Sequence, residues 1–257
     1  MSDDPADTLA EAVRARLEPG STILVALDFD GTLTEIRDDP DAPHLTEKRR
    51  RILARIPHAA RRLAILSGRS LADLRSRIRI DEAICVGNHG MEAAGPGVDG
   101  WRAPDGAEER LSALLASLPA LEGIWFEGKG LTASVHVRPR EDAERHAEVG
   151  RTLRNAVQEA GFALRSGKAA WEIRPVGAPD KGDAVLRLVA ALPEVELRST
   201  VFIGDDTTDE DAFAALPEGI TALVGAAGRP SRARWRLPDP PAVYRFLERL
   251  VDIPKPG

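Results

Sequence analysis

The chain has 257 residues, of which 43% are hydrophobic, and this is enough to bury the core of one large domain or of a domain with an insert. Its formal net charge of −6 argues against a general nucleic-acid binder, and no apolar run approaches the ~18 residues that span a membrane. The single cysteine, Cys85, cannot close an intramolecular disulfide, and the N-terminus lacks the basic-then-apolar pattern of a signal peptide. We therefore expect a cytoplasmic protein without nucleic-acid or membrane partners, and we take a monomer as the working hypothesis.

The first part of the chain alternates short apolar runs with amphipathic segments. The patterns predict strand 22–27, helix 46–56, strand 62–66, helix 71–78 and strand 83–86. Strands that are apolar almost throughout, separated by helices, are typical of a parallel sheet that helices cover on both faces.

The pattern changes after Glu92. Three breakers, Gly95, Pro96 and Gly97, predict a linker, and the segment beyond it alternates helices with hairpins rather than with single strands. The predicted elements are helix 107–118, strand 124–127, strand 131–137, helix 142–160, strand 162–165 and strand 170–174. Helix, hairpin, helix and hairpin form an α+β arrangement of about 80 residues, which is the size of a small domain.

The alternation of strands and helices resumes after Gly177. The predicted elements are helix 181–191, strand 200–203, helix 208–215, strand 220–224 and helix 242–251. We therefore expect an α/β fold whose core is a doubly wound, mostly parallel sheet, built from residues 1–96 and 177–257. An α+β cap domain, residues 97–176, is inserted into this core.

The most informative residues stand where the predicted strands end. Asp28 and Asp30 follow an apolar run, Ser67 follows the second strand, and Asp205 follows the strand at 200–203. Ligands of open α/β sheets bind outside the carboxyl ends of the strands, so these side chains are expected to converge. Buried carboxylates are costly unless something binds them, and a hard, oxygen-rich site suits Mg²⁺ better than zinc.

Two further groups suit a site that handles phosphate. Lys181 begins a helix, and Ser67 supplies a hydroxyl at the start of another helix. Taken singly, each feature has an ordinary explanation: a solvated Asp-x-Asp turn, a helix cap or a surface lysine. Their joint occurrence, each at a strand end or a helix start, instead favours phosphoryl transfer.

The motifs also resemble those of a known family. The chain looks like a haloacid dehalogenase-type (HAD) hydrolase with a Rossmann-like core and, within that superfamily, like the trehalose-6-phosphate phosphatases. The superfamily signal lies in DFDGT at 28–32, LSGR at 66–69, KG at 181–182 and GDD at 204–206. The narrower signal lies in GNHGME at 87–92, WEIRP at 171–175 and GDDTTDEDAF at 204–213.

The resemblance implies a role for each matching residue. Asp28 would attack phosphorus and form an aspartyl-phosphate, while Asp30 would protonate the departing sugar oxygen and then activate the hydrolytic water. Ser67 and Lys181 would bind phosphoryl oxygens. Mg²⁺ would be held by Asp28, the carbonyl oxygen of Asp30, and Asp205. Three neighbours would support this set without being ligands themselves: Thr32, Asp206 and Asp209.

The resemblance also implies which side chains recognise the sugar. Glu127 and Lys129 stand in FEGKGL at 126–131, which with HVR at 136–138 resembles the family's cap hairpin, and Glu172 stands in WEIRP. These three would hydrogen-bond sugar hydroxyls. The alternative is that Glu127 and Lys129 are exposed hairpin residues. Three more residues would contact substrate near the strand ends, although a structural role for the histidine is the competing interpretation: Arg69, Asn88 and His89.

These expectations lead to one favoured function and two alternatives. The favoured function is Mg²⁺-dependent hydrolysis of trehalose 6-phosphate to trehalose and phosphate. The first alternative is the same chemistry on another sugar phosphate or a pseudo-disaccharide phosphate, because changes in the cap alter the substrate without touching the catalytic motifs. The second is a non-catalytic sugar-phosphate sensor, against which the intact set of Asp28, Asp30, Lys181 and Asp205 argues.

Overall fold

The computed structural model of the protein describes residues 4–18, 20–36, 43–57, 61–98, 100–103, 105–137, 142–166, 170–226 and 228–253. The chain forms two compact units. The core unit is built from Met1–Trp101 and Pro179–Gly257, and the insert unit from Arg102–Ala178. None of the described helices is long and apolar enough to cross a membrane.

The helices and strands are numbered along the whole chain. The helices of the core unit are α1 (Pro5–Arg14), α2 (Glu47–Ala54), α3 (Leu71–Ile78), α6 (Lys181–Ala191), α7 (Asp209–Ala215) and α8 (Pro240–Asp252). Its strands are β1 (Thr22–Asp28), β2 (Arg61–Leu66), β3 (Ile84–Gly87), β4 (Glu92–Ala94), β9 (Val195–Gly204), β10 (Ile220–Val224) and β11 (Trp235–Leu237). A short 3₁₀ turn, Asn88–Gly90, joins β3 to β4.

The strands of the core unit form one seven-stranded sheet in the order β11-β10-β9-β1-β2-β3-β4. Neighbouring strands are parallel, except that β3 and β4 are antiparallel. In this sheet Asp28 lies opposite Leu66 at the end of β2, and Leu27 lies opposite Ile203 near the end of β9. The carboxyl ends of the three central strands therefore meet at one edge, where open α/β sheets bind ligands.

Both faces of the core sheet are buried. On β1, Ile23, Val25 and Leu27 join one apolar cluster, and Leu24 and Ala26 join a second. The first cluster includes side chains of α1, α2, α3 and α8, and the second includes side chains of α6 and α7. A strand covered on both faces has no polar side, which explains the uninterrupted apolar run. The predicted α/β class with a mostly parallel core sheet is confirmed.

Three elements of the core unit are absent from the sequence prediction: α1, β4 and β11. Helix α1 carries a start signal, because Asp4 accepts a hydrogen bond from the Ala6 N–H at 3.0 Å and Pro5 occupies the first helical position. Its buried face includes Leu9 and Val13. The strands β4 and β11 have three residues each, which is too short for an alternating pattern to be recognised.

The insert unit is an antiparallel sheet with two helices. The helices are α4 (Ala107–Ser117) and α5 (Ala143–Glu159), and the strands are β5 (Ile124–Gly128), β6 (Ala133–Val137), β7 (Phe162–Ser166) and β8 (Ala170–Pro175). The strand order is β5-β6-β8-β7, with antiparallel neighbours. Leu111 and Leu114 of α4 and Val149 and Leu153 of α5 share one apolar cluster with the strands. The unit has the α+β composition that the sequence predicts.

The chain passes from one unit to the other at residues 101/102 and 178/179, whereas the sequence places the insert at 97–176. Val98 and Trp101 belong to the second apolar cluster of the core unit. The guanidinium of Arg187 on α6 also lies 4.1 Å from the centroid of the Trp101 ring. These contacts keep the residues after the Gly-Pro-Gly stretch in the core unit.

Candidate active site

A buried ion cluster occupies the carboxyl edge of the core sheet. Lys181 Nζ, at the start of α6, donates to Asp28 Oδ1 at the end of β1 and to Asp209 Oδ1 at the start of α7, with both distances 2.6 Å. All three side chains are buried. The capping box of Asp180 and Asp183 defines the first turn of α6 and so places Lys181 at the sheet edge.

The second carboxylate oxygen of Asp209 organises the loop after β9. Its Oδ2 accepts hydrogen bonds from the backbone N–H groups of Asp205 at 2.9 Å and Asp206 at 2.8 Å. Asp209 therefore ties the ammonium of Lys181 to the loop that presents Asp205. From the other side, Arg229 Nη1 donates to the Asp205 carbonyl oxygen at 2.6 Å. The loop is held from two directions.

The cluster has more negative than positive charge. Burial raises the pKa of the Asp28 carboxyl well above its usual range; the Lys181 ammonium opposes this, and the Asp209 and Asp205 carboxylates add to it. Burial alone would lower the pKa of Lys181, but the Asp209 and Asp28 carboxylates outweigh it and raise that pKa. Ionisation of all three carboxylates beside the one ammonium would give a net charge of −2, which one divalent cation would balance.

The same carboxylates fit a hard divalent cation. Oxygens of Asp28, Asp205 and Asp209 all lie within 4.8 Å of one another, and all three residues are buried. The carboxylate of Asp205 approaches the backbone of Gly31, where a Cβ would lie 2.3 Å from Asp205 Oδ2 and where φ is +90°. Only glycine suits that position, because it lacks the clashing atom and adopts positive φ freely. The ligand atoms that this cluster offers are carboxylate oxygens, which suits Mg²⁺.

The side chain of Asp30 is held outside this cluster by an arginine. Arg69 Nε donates to Asp30 Oδ2 and Arg69 Nη2 donates to Asp30 Oδ1, both at 2.8 Å. Arg69 Nη1 donates to Asp73 Oδ2 at 2.9 Å, and Arg77 Nε donates to Asp73 Oδ1 at 2.8 Å. Burial lowers the pKa of Arg69, but its hydrogen bonds to the Asp30 and Asp73 carboxylates outweigh this and raise that pKa.

The turns after β2 and β3 pack against each other. Ser67 is buried, its Oγ accepts from the Arg69 N–H at 3.2 Å, and its carbonyl oxygen accepts from the His89 N–H at 3.0 Å. A Cβ on Gly68 would lie 2.5 Å from His89 Nε2, so glycine is required for this close approach. Asn88 and His89 have φ of 45° and 56°, a strained conformation for side-chain-bearing residues. Such strain marks a candidate functional turn.

Polar residues of the insert unit lie in one row across its sheet. Glu127 on β5 is opposite Ser134 on β6, which is opposite Glu172 on β8. Glu127 Oε2 lies 2.7 Å from His136 Nε2, and the His136 ring stacks on Trp125 with centroids 4.7 Å apart. The row therefore combines carboxylates with an aromatic surface, a combination suited to sugars. Lys129 is half-buried in the turn that follows β5, and Arg138 lies outside the described residues.

Comparison with known proteins identifies the family. Residues 26–241 match the family model described as trehalose-phosphatase, which spans both units. The chain belongs to the trehalose-phosphatase family.

Curated relatives agree with this membership, and a solved structure shares the fold. The chain is 31% identical over 253 residues to trehalose-phosphate phosphatase B of Arabidopsis thaliana, with 91% of this chain and 67% of that protein covered. It is 32% identical over 251 residues to trehalose-phosphate phosphatase of Mycobacterium tuberculosis, with 88% and 61% covered. The C-terminal domain of trehalose-6-phosphate phosphatase from C. albicans shares the fold, with a TM-score of 0.78, 23% identity and 96% of each chain covered. The chain thus spans about two thirds of the length of these curated relatives.

The motifs that resemble the trehalose-phosphatase family supply most of the assembled groups. Their residues Asp28, Lys181 and Asp209 are in direct contact, and Asp205 lies beside them. Thr32 is fully buried in the turn after β1. Glu127, Lys129 and Glu172 all lie in the insert unit, whereas the other residues with a proposed role lie in the core unit.

The sequence predicts no individual role for several residues that contact the proposed site residues or their partners. In the core unit these are Asp73, Arg77, Glu92 and Arg229, and in the insert unit His136, although Glu92 and His136 stand in the GNHGME and HVR motifs. A helical spacing of four residues, from Arg69 to Asp73 and from Asp73 to Arg77, could have indicated the first two. Glu92 also has a local partner, because its Oε1 accepts from the Asn88 side-chain amide at 2.7 Å. Arg229 reaches the Asp205 loop from a distant part of the chain and has no local signal.

Proposed function

We propose that this member of the trehalose-phosphatase family is a Mg²⁺-dependent phosphatase that hydrolyses trehalose 6-phosphate to trehalose and phosphate. The observation that carries the proposal is the buried contact of Lys181 with Asp28 and Asp209 beside Asp205, in a chain whose match to the family spans both units. A buried carboxylate beside a fixed ammonium has the composition of a phosphoryl-transfer site. A cytoplasmic location and a monomeric state remain predictions from the sequence.

The metal-ligand set proposed for Mg²⁺ consists of Asp28, the carbonyl oxygen of Asp30, and Asp205. Bound there, Mg²⁺ would supply positive charge that stabilises the phosphoryl oxygens. Asp209 has oxygens in the same cluster, but its Oδ1 already accepts from Lys181 and its Oδ2 from two backbone N–H groups. These contacts support its assignment as a residue that orients its neighbours rather than as a ligand.

The proposed reaction uses Asp28 and Asp30 in two steps. In the first step a carboxylate oxygen of Asp28 bonds to phosphorus, the bond from phosphorus to the sugar oxygen breaks, and Asp30 gives its proton to that oxygen. In the second step Asp30 takes a proton from water while the water oxygen bonds to phosphorus. The bond between Asp28 and phosphorus breaks, which releases phosphate and regenerates both side chains.

Other residues of the core unit are proposed to position the phosphoryl group. Lys181 keeps its positive charge beside Asp28 and would neutralise developing negative charge. Ser67 directly follows β2, and its hydroxyl would donate a hydrogen bond to a phosphoryl oxygen. Asn88 and His89 are assigned to the substrate side because the strained turn that holds them packs against Ser67.

The two units are proposed to divide the work. The core unit carries the chemistry, and the insert unit selects the sugar through Glu127, Lys129 and Glu172. Carboxylates and an ammonium hydrogen-bond several hydroxyls at once, and a ligand that lacks a matching hydroxyl leaves them unpaired. The proposed cap domain is the insert unit, Arg102–Ala178, in place of the residues 97–176 that the sequence predicts.

The proposal is tested by measuring phosphate release from trehalose 6-phosphate by the full chain. We expect release that requires Mg²⁺, stops with excess EDTA and returns when Mg²⁺ is restored. Asp28→Asn should lower kcat by at least about 10⁴-fold, because the nucleophile is lost. The matched control is Asp81→Asn, an exposed aspartate of the core unit, which should retain wild-type activity.

A substrate panel separates the favoured function from its alternatives. We expect kcat/KM for trehalose 6-phosphate to exceed that for glucose 6-phosphate and sucrose 6-phosphate by about 100-fold. Comparable values for all three would contradict a trehalose-selective site. No release from any sugar phosphate would contradict the phosphatase itself and favour the sensor.

A further inference from the structure

The contact between Arg69 and Asp30 has a geometry that suggests more than charge neutralisation. Two nitrogens of one planar guanidinium face the two oxygens of one carboxylate, and both distances are 2.8 Å. A two-pronged contact of this kind fixes the orientation of the carboxylate as well as its position. A lysine, with a single ammonium, cannot reproduce it.

Arg69 is itself immobilised. Its third donor group, Nη1, reaches Asp73 Oδ2 at 2.9 Å, and its guanidinium lies 5.7 Å from the ring centroid of the buried Phe29. Its backbone is fixed too, because its N–H donates to Ser67 Oγ and its carbonyl oxygen accepts from the Asn88 N–H at 2.7 Å. The side chain is only 13% exposed, so its donors face protein groups.

The support continues one turn further along α3. Arg77 Nε donates to both oxygens of Asp73, at 2.8 and 3.0 Å, and Arg77 Nη1 donates to the Pro43 carbonyl oxygen at 2.8 Å. Arg77 is buried. A chain of alternating charges thus runs from Asp30 through Arg69 and Asp73 to Arg77, and it anchors Asp30 to the helix after β2.

This anchoring leaves Asp30 able to exchange a proton. Each carboxylate oxygen has two lone pairs, and each of these oxygens receives one hydrogen bond from Arg69. The Asp30 side chain is 36% exposed, in contrast to its partner, so its remaining lone pairs are open to a ligand. A clamped carboxylate with one accessible side is the arrangement that a general acid–base group needs.

We infer that Arg69 is a positioning residue that aims Asp30 at the leaving oxygen, supported by Asp73 and Arg77, rather than a group that binds substrate. The inference rests on the proposed function, in which Asp30 is the acid–base group. It replaces the role in substrate binding that the sequence suggests for Arg69. Its consequence is that loss of Arg69 impairs the steps in which Asp30 moves a proton and spares the others.

The experiment compares two substrates whose leaving groups differ in their need for a proton. The alkoxide leaving group of trehalose 6-phosphate needs the proton of Asp30, whereas p-nitrophenolate leaves without one. We expect Arg69→Met to lower kcat/KM for trehalose 6-phosphate by about 100-fold. It should lower kcat/KM for p-nitrophenyl phosphate by less than about threefold, because that parameter ends at release of nitrophenolate, before Asp30 is needed.

A pre-steady-state measurement gives an independent signature. In Arg69→Met, hydrolysis of the aspartyl-phosphate should become the slow step with p-nitrophenyl phosphate, so a burst of nitrophenolate should precede the steady state. Arg69→Lys should recover less than half of the lost kcat/KM for trehalose 6-phosphate, because the charge returns without the two-pronged contact. The matched control is Arg75→Met, an exposed arginine of the same helix, which should behave like the wild type.

A second variant keeps the inference testable if Arg69→Met fails to fold. Asp73→Asn removes the carboxylate that holds Arg69 but keeps the contact between Arg69 and Asp30. It should lower kcat/KM for trehalose 6-phosphate by about tenfold and again spare p-nitrophenyl phosphate, since Asp30 is then misplaced less than in Arg69→Met. Equal losses with both substrates, a raised KM as the main effect, or full rescue by lysine would each overturn the inference while leaving the phosphatase intact. Failure of the proposed function is distinguishable, because the wild type would then hydrolyse neither substrate or Asp28→Asn would remain active on both.

Discussion

The core unit and the insert unit hold their charged groups in different ways. At the core sheet edge, Lys181 contacts two carboxylates at 2.6 Å and all three side chains are buried. In the insert unit, the Glu127 side chain is about one third exposed, and its contact with His136 depends on the protonation state of the imidazole. The buried cluster suits chemistry that is the same for every phosphate ester, whereas the half-buried side chains of Glu127 and Glu172 suit contacts that vary with the sugar.

This difference predicts that substitutions affect stability more in the core unit than in the insert unit. Removing one partner from a buried set of charges leaves the others uncompensated, while an exposed pair has little effect on stability. Substitutions at the core site should therefore change both activity and stability. Those in the insert row should change substrate preference with little effect on folding. Three experiments can break or sharpen this comparison.

The largest effect is expected from Lys181→Met. Loss of the ammonium removes a fixed donor to the phosphoryl group and should lower kcat by about 10³-fold. It also leaves Asp28 and Asp209 without their shared cation, so the free energy of unfolding of the metal-free protein should fall by about 3–5 kcal/mol. Phosphate release and urea unfolding in EDTA measure the two effects.

The control for that experiment is Lys48→Met on α2, where the lysine is exposed. It should change neither quantity measurably. A Lys181→Met protein that lost activity without losing stability would show that the ion cluster is catalytic but not structural, and the contrast between the units would then be wrong.

An intermediate effect is expected from Glu172→Gln in the insert unit. The substitution keeps the shape but removes the charge that the sugar hydroxyls would meet, so kcat/KM for trehalose 6-phosphate should fall by about 10- to 100-fold. The value for p-nitrophenyl phosphate, which has no sugar, should change by less than about twofold. Steady-state kinetics with both substrates and thermal unfolding measure the separation.

Glu159→Gln, at the exposed end of α5, is the matched change in the same unit and should leave both substrates unaffected. Equal losses with the sugar phosphate and the aryl phosphate in Glu172→Gln would mean that this residue supports folding or the chemistry itself. The assignment of sugar selection to the insert row would then be abandoned.

The third experiment leaves catalysis aside and concerns how tightly the core unit is packed around Cys85. Burial raises the pKa of the Cys85 thiol on β3 from 9.0 to about 11, although the Arg75 guanidinium lowers it in part. The folded thiol therefore holds its proton more tightly than the unfolded one. The free energy of unfolding should fall as pH rises from about 9 to about 11, by up to about 3 kcal/mol.

The same shift predicts slow alkylation. Between pH 7 and 9 the folded protein should contain about 100-fold less Cys85 thiolate than the protein unfolded in urea. Iodoacetamide labelling followed by mass spectrometry measures the rate ratio. Rapid labelling of the folded protein at pH 8 would show that the core unit opens readily, and that the two units differ less in rigidity than their contacts suggest.

Much of the fold could be predicted because the local signals agree with the tertiary environment. Helix α3 and helix α6 have the predicted bounds, since each begins at a side-chain cap and repeats apolar residues at helical spacing. Strand β9 is longer than predicted, beginning at Val195 rather than residue 200, because the exposed Glu196 and Arg198 interrupt the apolar pattern of its first half. Short edge strands such as β4 carry too few residues for any pattern.

Part of the candidate site could also be predicted from the sequence, and part could not. Motif order alone indicated that Asp28, Lys181 and Asp205 belong to one site, because strand ends of a parallel sheet meet at one edge. Nothing local to Arg69 predicted that its guanidinium would face Asp30. That contact depends on the pairing of β1 with β2, which brings two loops 39 residues apart in sequence to the same edge.

The amino-acid sequence by itself determined the fold class, the family and the order of the acidic, hydroxyl and ammonium groups along the chain, because these depend on residue type and spacing. The tertiary structure decided which groups touch: Lys181 with Asp28 and Asp209, Arg69 with Asp30, and Glu127 with His136. The physical reason is that burial and hydrogen bonding act between side chains brought together by sheet register. The contact with Arg69, for example, fixes the orientation of the Asp30 carboxylate, which the sequence alone does not specify.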